Sequence, residues 1–277
     1  MTTNSVRIGD VQLTRVGYAD INIDPARVGL TPEQVRAVSW AEPLWADGGE
    51  LRAGAAAWVI ESGDARIVVD PGQAADEIIR SDADAAVHQE AFAKVLADAG
   101  FPRESFTHAV STHVEGIGMW AWREADGSWS PFFPNAPLFV PARDLEAMDA
   151  GKMIGDASGA IKQLRALGVV QTDTDTGAGD VVRVTEHVTL EHTGAHAPGH
   201  RFVRIDSGAE HAVMVGHLAV SPLHLVTGEC PQQHPEPRAA QERIDELLAE
   251  DVLLIGPLWP APGAGTWDGT RLVPIAG

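Results

Sequence analysis

The apolar residues of this chain come in short runs that alternate with amphipathic segments, and the runs fall into two groups. Ala55–Glu61 and Arg66–Asp70 read as a hairpin, because two β-forming runs flank the turn-forming residues Ser62-Gly63-Asp64. Residues 85–99 place Phe92, Val95, Leu96 and Ala99 at helical spacing. Strands are expected at Thr107–Thr112 and Leu138–Val140, followed by helices over 142–150 and 158–167. A second set of strands is expected near 181–184, 187–191, 201–206 and 211–216. A helix over 236–250, with Ala239, Ile244, Leu247 and Leu248 on one side, then leads into a strand at Val252–Gly256. Two groups of strands, each with its own helices, predict an α/β (αββα) sandwich: two facing mixed β-sheets with helices on the outer faces. No repeat or long linker interrupts the pattern. Residues 1–277 are expected to form one domain, with 1–50 as an N-terminal extension packing on it.

The chain carries 39 acidic against 20 basic residues, a formal charge of −19. Such a surface repels phosphate backbones and anionic lipid, so neither nucleic acid nor a membrane is an expected partner. No apolar run has the length of a membrane span. Met1-Thr-Thr-Asn-Ser-Val-Arg lacks the apolar run of a signal peptide. The single cysteine, Cys230, makes no internal disulfide and no cysteine-based zinc cluster, and beside Pro231 it reads as a bystander. A cytoplasmic location is expected.

Chemistry-bearing residues gather in a few segments. Ile67-Val-Val-Asp70-Pro71-Gly72 is a strand ending in an acid and a turn. Ser111-Thr112-His113-Val114-Glu115-Gly116-Ile117-Gly118 follows the next strand. Thr193-Gly-Ala-His196-Ala-Pro198-Gly199-His200 and Val215-Gly216-His217 follow later ones, and Gly256-Pro-Leu258-Trp259-Pro260 comes near the end. In this order, together with Phe133-Pro134-Asn135-Ala136 and Pro141-Ala-Arg-Asp144-Leu145-Glu146, they resemble the metallo-β-lactamase superfamily, particularly its lactonase and organophosphate-hydrolase branch. The resemblance runs from about residue 50 onward.

That resemblance implies two metal positions, and the departures fall on one of them. The first metal's positions hold His113, Glu115, His196 and His217, all able to ligate. The second metal's unshared positions hold Ile117, Gly118 and Leu258, which are not side-chain ligands. An alignment with a two-residue gap moves Glu115 to a different position but keeps His113 and His196. The implied cofactor is therefore one divalent metal (Zn, or Fe/Mn), with a site holding none as the remaining alternative. Asp70 is expected to brace the site from behind its ligands. The chemistry is expected to rest on Glu115, His217 and Asp70. The branch's lactonases imply a tyrosine at the carbonyl, yet the only tyrosine, Tyr18, lies outside the matched region.

Four ligands around zinc make a closed structural site, so catalysis needs an octahedral metal or a Glu115 standing off the metal as general base. The leading expectation is a single-metal hydrolase of a small, largely apolar ester, lactone or amide. A mononuclear iron or manganese oxygenase is the second, and a metal-free enzyme or binding protein using the same cavity is the third. An apolar slot for a small-molecule substrate is expected from Trp120, Trp259, Leu258 and Ile117, with the 40–50 segment near its mouth. His200 is expected to brace its loop. His108 and His192 are expected to be partly buried, and His88, His187, His211, His224 and His234 to lie at the surface or the pocket rim.

Overall fold

Three hairpins in the computed structural model turn on the same device, a glycine placed first in a two-residue loop. The structure describes residues 3–71, 82–114, 119–152, 158–172, 181–228 and 237–276. Strands β1 (Thr3–Ile8) and β2 (Val11–Ile23) turn at Gly9, with φ 54°. After the short β3 (Ala46–Asp47), β4 (Glu50–Ser62) and β5 (Ala65–Val69) turn at Gly63, with φ 60°. A positive φ at the first loop residue suits the right-handed twist of the flanking strands, and glycine reaches it without a Cβ clash.

The first sheet continues through β6 (His108–Val110). The separate hairpin β7 (Ala121–Arg123) and β8 (Trp129–Pro131) follows, and then come β9 (Leu138–Val140) and β10 (Val170–Thr172). Among the described residues the sheet has eight strands in the order β1-β2-β4-β5-β6-β9-β10, with β3 on β4. It is antiparallel as far as β5 and parallel from there on.

The second sheet holds β11 (Val181–Arg183), β12 (Val188–His192), β13 (Arg201–Ser207) and β14 (Glu210–Met214). It is completed by β15 (Leu253–Ile255), β16 (Ala264–Trp267) and β17 (Leu272–Pro274). These seven described strands run in chain order, with β14 and β15 parallel and the rest antiparallel. The third glycine-led hairpin, at Gly208 with φ 65°, joins β13 to β14.

Side chains alternate between the two faces of each strand, and here both faces are buried. Trp58 and Ile60 of β4, Ile67 and Val69 of β5, and Val110 of β6 meet Val188, Leu190, Val203, Ile205, Met214 and Ile255 of the second sheet. The neighbours of those residues face outward. Ala57, Val59 and Val68 pack under Phe92, Val95 and Leu96 of the helix Asp82–Asp98, Leu145 and Met148 of Ala142–Asp149, and Ile161 and Leu164 of Ser158–Ala166. Phe202, Val213 and Leu254 pack under Ala240, Ile244 and Leu247 of the helix Pro237–Leu248 and under Val35 of the helix Pro32–Ala37. Three apolar layers thus separate helices, sheet, sheet and helices, which is the αββα sandwich. No helix among the described residues is long and apolar enough to cross a membrane.

The first 50 residues, expected as an extension, supply β1, β2 and β3 of the first sheet. β2 pairs with β4 over nearly its full length, from Gln12 opposite Glu61 to Ile23 opposite Leu51. Arg15 follows Val11 and Leu13 on the inward row and is itself buried. Its guanidinium donates to the carbonyls of Gly54 and Trp259, tying β2 to the loop after β15. Burial lowers its pKa, against the opposing pull of Asp20 and Tyr18.

Strand direction brings the chemistry together. β5 runs into Asp70, β6 into Ser111–His113, β12 into Thr193, β14 into Val215–His217 and β15 into Gly256–Leu258. Arg201 stitches the sheets at this end. Its amide donates to the Thr112 carbonyl at 3.0 Å, and its guanidinium to the carbonyls of Ser111 at 3.1 Å and Phe139 at 2.9 Å.

Candidate metal centre

His113, His196 and His217 are all buried, and their ligand atoms lie within 4.8 Å of one another. The His113 ring centroid is 4.7 Å from each of the other two, which are 5.9 Å apart. Three segments far apart in sequence therefore deliver three imidazoles to one point.

His113 is oriented from behind. The Thr112 hydroxyl donates to Asp70 Oδ2 at 2.6 Å, and the Thr112 amide donates to Asp70 Oδ1 at 2.9 Å. With its proton committed to the carboxylate, the hydroxyl faces His113 Nδ1 at 3.0 Å as an acceptor. Nδ1 must then carry the proton, which leaves the Nε2 lone pair for the cluster. Such orienting contacts fix the tautomer of a ligating histidine.

The second sheet uses backbone shape. The loop from Thr193 to His200 is closed by the Thr193 amide on the His200 carbonyl at 2.9 Å and the His200 amide on the Ala197 carbonyl at 3.2 Å. Within it His196 has φ 68°. Among the described residues only His196 and Asp70, at 39°, are non-glycines with positive φ, and both belong to this site. Backbone strain of this kind, about 1–3 kcal/mol per residue, persists where the surroundings over-determine the geometry. His217 stands on the turn Gly216–Ala219 after β14. Gly216, at φ 56°, has no room for a side chain: a Cβ there would lie 2.4 Å from His200 Nε2 and 3.0 Å from Thr112 Oγ1.

His200 is fully buried beside the cluster, its ring 5.1 Å from that of His196, and its Nδ1 lies 3.0 Å from the Thr193 hydroxyl of its own loop. A residue without an assigned role in the sequence reading, Asp144, is also fully buried. Its carboxylate accepts the amide of Val114 at 2.8 Å and that of Gly199 at 2.7 Å. Burial pushes its pKa up, against the opposing pull of His113, the two amides and Arg201. Only its place in a matched segment hinted at it, because its partners are backbone groups from distant loops.

The other expected site residues are distributed differently. Glu115 and Ile117, with Gly118, Cys230 and His234, lie outside the described residues. Leu258 is half-buried against the helix-facing core of the second sheet, and its carbonyl accepts the Gly54 amide at 2.9 Å. Trp259, expected in the substrate slot, is instead a core residue. It is fully buried, its indole N–H donates to the Ala219 carbonyl at 2.9 Å, and its ring meets Trp45 edge-on. Trp120 is buried in the helix-facing core of the first sheet. His224, expected at the surface or the pocket rim, is fully buried, with Nδ1 accepting the Ser221 amide and Nε2 facing the Val28 carbonyl.

Three converging imidazoles, one with its tautomer fixed, fit a divalent first-row metal. Imidazole suits zinc, iron and nickel alike, and three histidines on zinc leave a fourth position open.

The fold is that of the metallo-β-lactamase superfamily. Solved structures match over almost the whole chain. A hydrolase of the beta lactamase superfamily, AbOPH, gives a TM-score of 0.74 at 19% identity, covering 99% of this chain and 98% of that one. AidC, a dizinc quorum-quenching lactonase in complex with a product, gives 0.76 at 14% identity with the same coverage. A probable metal-dependent hydrolase from Staphylococcus aureus gives 0.67 at 14% identity, covering 98% of this chain and all of that one. At these identities the likeness is one of fold. No protein-family model matches the sequence, and neither does any curated protein.

Proposed function

We propose that this chain is a metal-dependent hydrolase of a small, largely apolar ester, lactone or amide. It uses one metal where the two-metal hydrolases of its fold use two, and works as a single domain. The carrying observation is the set of three buried histidines whose donor atoms lie within 4.8 Å of one another. The single-metal reading draws on Leu258, Ile117 and Gly118, which offer no ligand where the resemblance has metal-binding residues. The substrate class draws on fold neighbours that are hydrolases, one of them a lactonase bound to its product.

When bound, a divalent ion supplies Lewis acidity and lowers the pKa of a water to about 7. The chain's own residues do the rest. Asp70 and Thr112 keep the proton on His113 Nδ1, so that the imidazole offers Nε2. Glu115 would either complete the ligand set or, standing off the metal, serve as the general base. The three histidines are buried, and burial strengthens each electrostatic contact among them.

Elemental analysis of protein purified without chelator tests the reading. One equivalent of metal is expected in wild type, none in His196→Ala, and close to one in His200→Ala. Iron with oxygen consumption would instead mark an oxygenase. Less than about a tenth of an equivalent after loading with zinc, iron and manganese would leave a metal-free cavity protein.

A further inference from the structure

We propose that Asp144 is a positioning residue that sets the spacing between the two loops carrying His113 and His196. The inference rests on the metal reading above.

Asp144 stands in the first turn of the helix Ala142–Asp149 and is completely buried. It faces two backbone donors, one per oxygen. Val114, at Oδ2, directly follows His113; Gly199, at Oδ1, lies in the loop of His196 and directly precedes His200. A single carboxylate therefore spans the loop of the first sheet and the loop of the second. Both partners are N–H groups, and an ionised carboxylate is the side chain that offers only acceptors on two oxygens. An asparagine would present one acceptor and turn an N–H toward the other amide.

The approach is also sterically prepared. A Cβ on Gly199 would stand 2.4 Å from Pro141 Cβ and 3.0 Å from Asp144 Cγ, so the loop reaches the carboxylate only as glycine. Burial opposes the charged form, and the two amide dipoles together with the nearby Arg201 guanidinium offset part of that cost. The apolar packing of this helix is carried by Leu145 and Met148. The carboxylate contributes something else, a fixed distance between the two segments that carry His113 and His196.

The test compares Asp144→Asn with wild type, using zinc, iron(II) and manganese(II) in turn against a competing chelator. Thermal unfolding is followed with and without metal. The expected result is metal affinity lower by roughly ten- to a hundredfold, with a smaller metal-induced rise in Tm. Equal loss of Tm with and without metal, at unchanged affinity, would make Asp144 a simple structural brace and overturn the inference while leaving the metal reading intact. Wild type that takes up none of the three metals would overturn both. Should the variant not fold, amide exchange on wild type decides. Metal addition should slow the Val114 and Gly199 amides together, and protection of only one of them would overturn the proposed coupling.

Discussion

On the first sheet's side of the centre, His113 is held by a side-chain relay through Thr112 to Asp70, whereas on the second sheet's side His196 and His217 are held by backbone conformation. The relay is chemical: it depends on which atom carries a proton. The backbone side is steric: it depends on a positive φ at His196 and on the missing side chain at Gly216. One cluster is thus exposed to two kinds of damage, and a substitution on either side should leave its own signature.

The steric side should break hardest. Gly216→Ala adds a methyl group that meets His200 Nε2 and Thr112 Oγ1, at a φ of 56° that L residues avoid. Overpacking and left-handed backbone together should cost about 2–4 kcal/mol in urea unfolding, and the displaced His217 should take metal binding with it. A loss below about 0.5 kcal/mol would show that this side is compliant, and the contrast between the two sheets would collapse.

The chemical side should fail more selectively. Asp70→Asn keeps the shape and tolerates the φ of 39°. It turns one donor toward the Thr112 hydroxyl, which must then accept and can give its own proton to His113 Nδ1. That pushes the histidine proton to Nε2 and removes the lone pair from the cluster. Stability should fall by about 1–3 kcal/mol, while metal affinity falls at least roughly tenfold. Thr112→Ser keeps the hydroxyl and should retain most of the affinity. Equal affinity in wild type and Asp70→Asn, measured by chelator competition, would mean that the relay does not govern the tautomer.

The contrast also explains what could be read from the sequence. The β4–β5 hairpin was legible because Ser62-Gly63-Asp64 interrupts two apolar runs. The β1–β2 hairpin has a similar Gly9-Asp10 turn, but its inward row reads Val11, Leu13, Arg15, and an arginine there hides the alternation. Arg15 becomes acceptable inside only through the carbonyls of Gly54 and Trp259, one of them from the far end of the chain. The converging histidines were legible because each sits in a matched segment. Asp144 lies in a matched segment without an assigned role, and His224 and Trp259 are buried where their sequence places them at a rim or slot, since each has a backbone partner 30 or more residues away. Side-chain patterns carry no trace of such contacts.

The smallest expected effect lies on the outer face of the second sheet, where charge acts without touching the centre. Arg204 makes a paired contact with Glu250, at 2.7 and 2.9 Å, and also bonds Glu191, which Arg243 reaches from the helix Pro237–Leu248. The hydrogen bond from Arg204 holds the Glu250 carboxyl below its ordinary value of 4.5, with partial burial opposing. A carboxylate with a lowered folded-state pKa stabilises the fold when ionised. Its contribution is therefore complete above about pH 4.5 and is lost as the pH falls through the lowered value. Because Glu250 is partly exposed, the contribution should be only about 0.5–1 kcal/mol and should shrink in salt. Glu250→Gln should thus be slightly less stable than wild type at pH 7, with the two unfolding curves converging in acid. Metal affinity should stay within about twofold of wild type, since ΔΔG values at well-separated sites act independently. A Glu250→Gln variant that lost metal would tie this outer network to the histidines, and the division between a chemical and a steric side would need a third, electrostatic member.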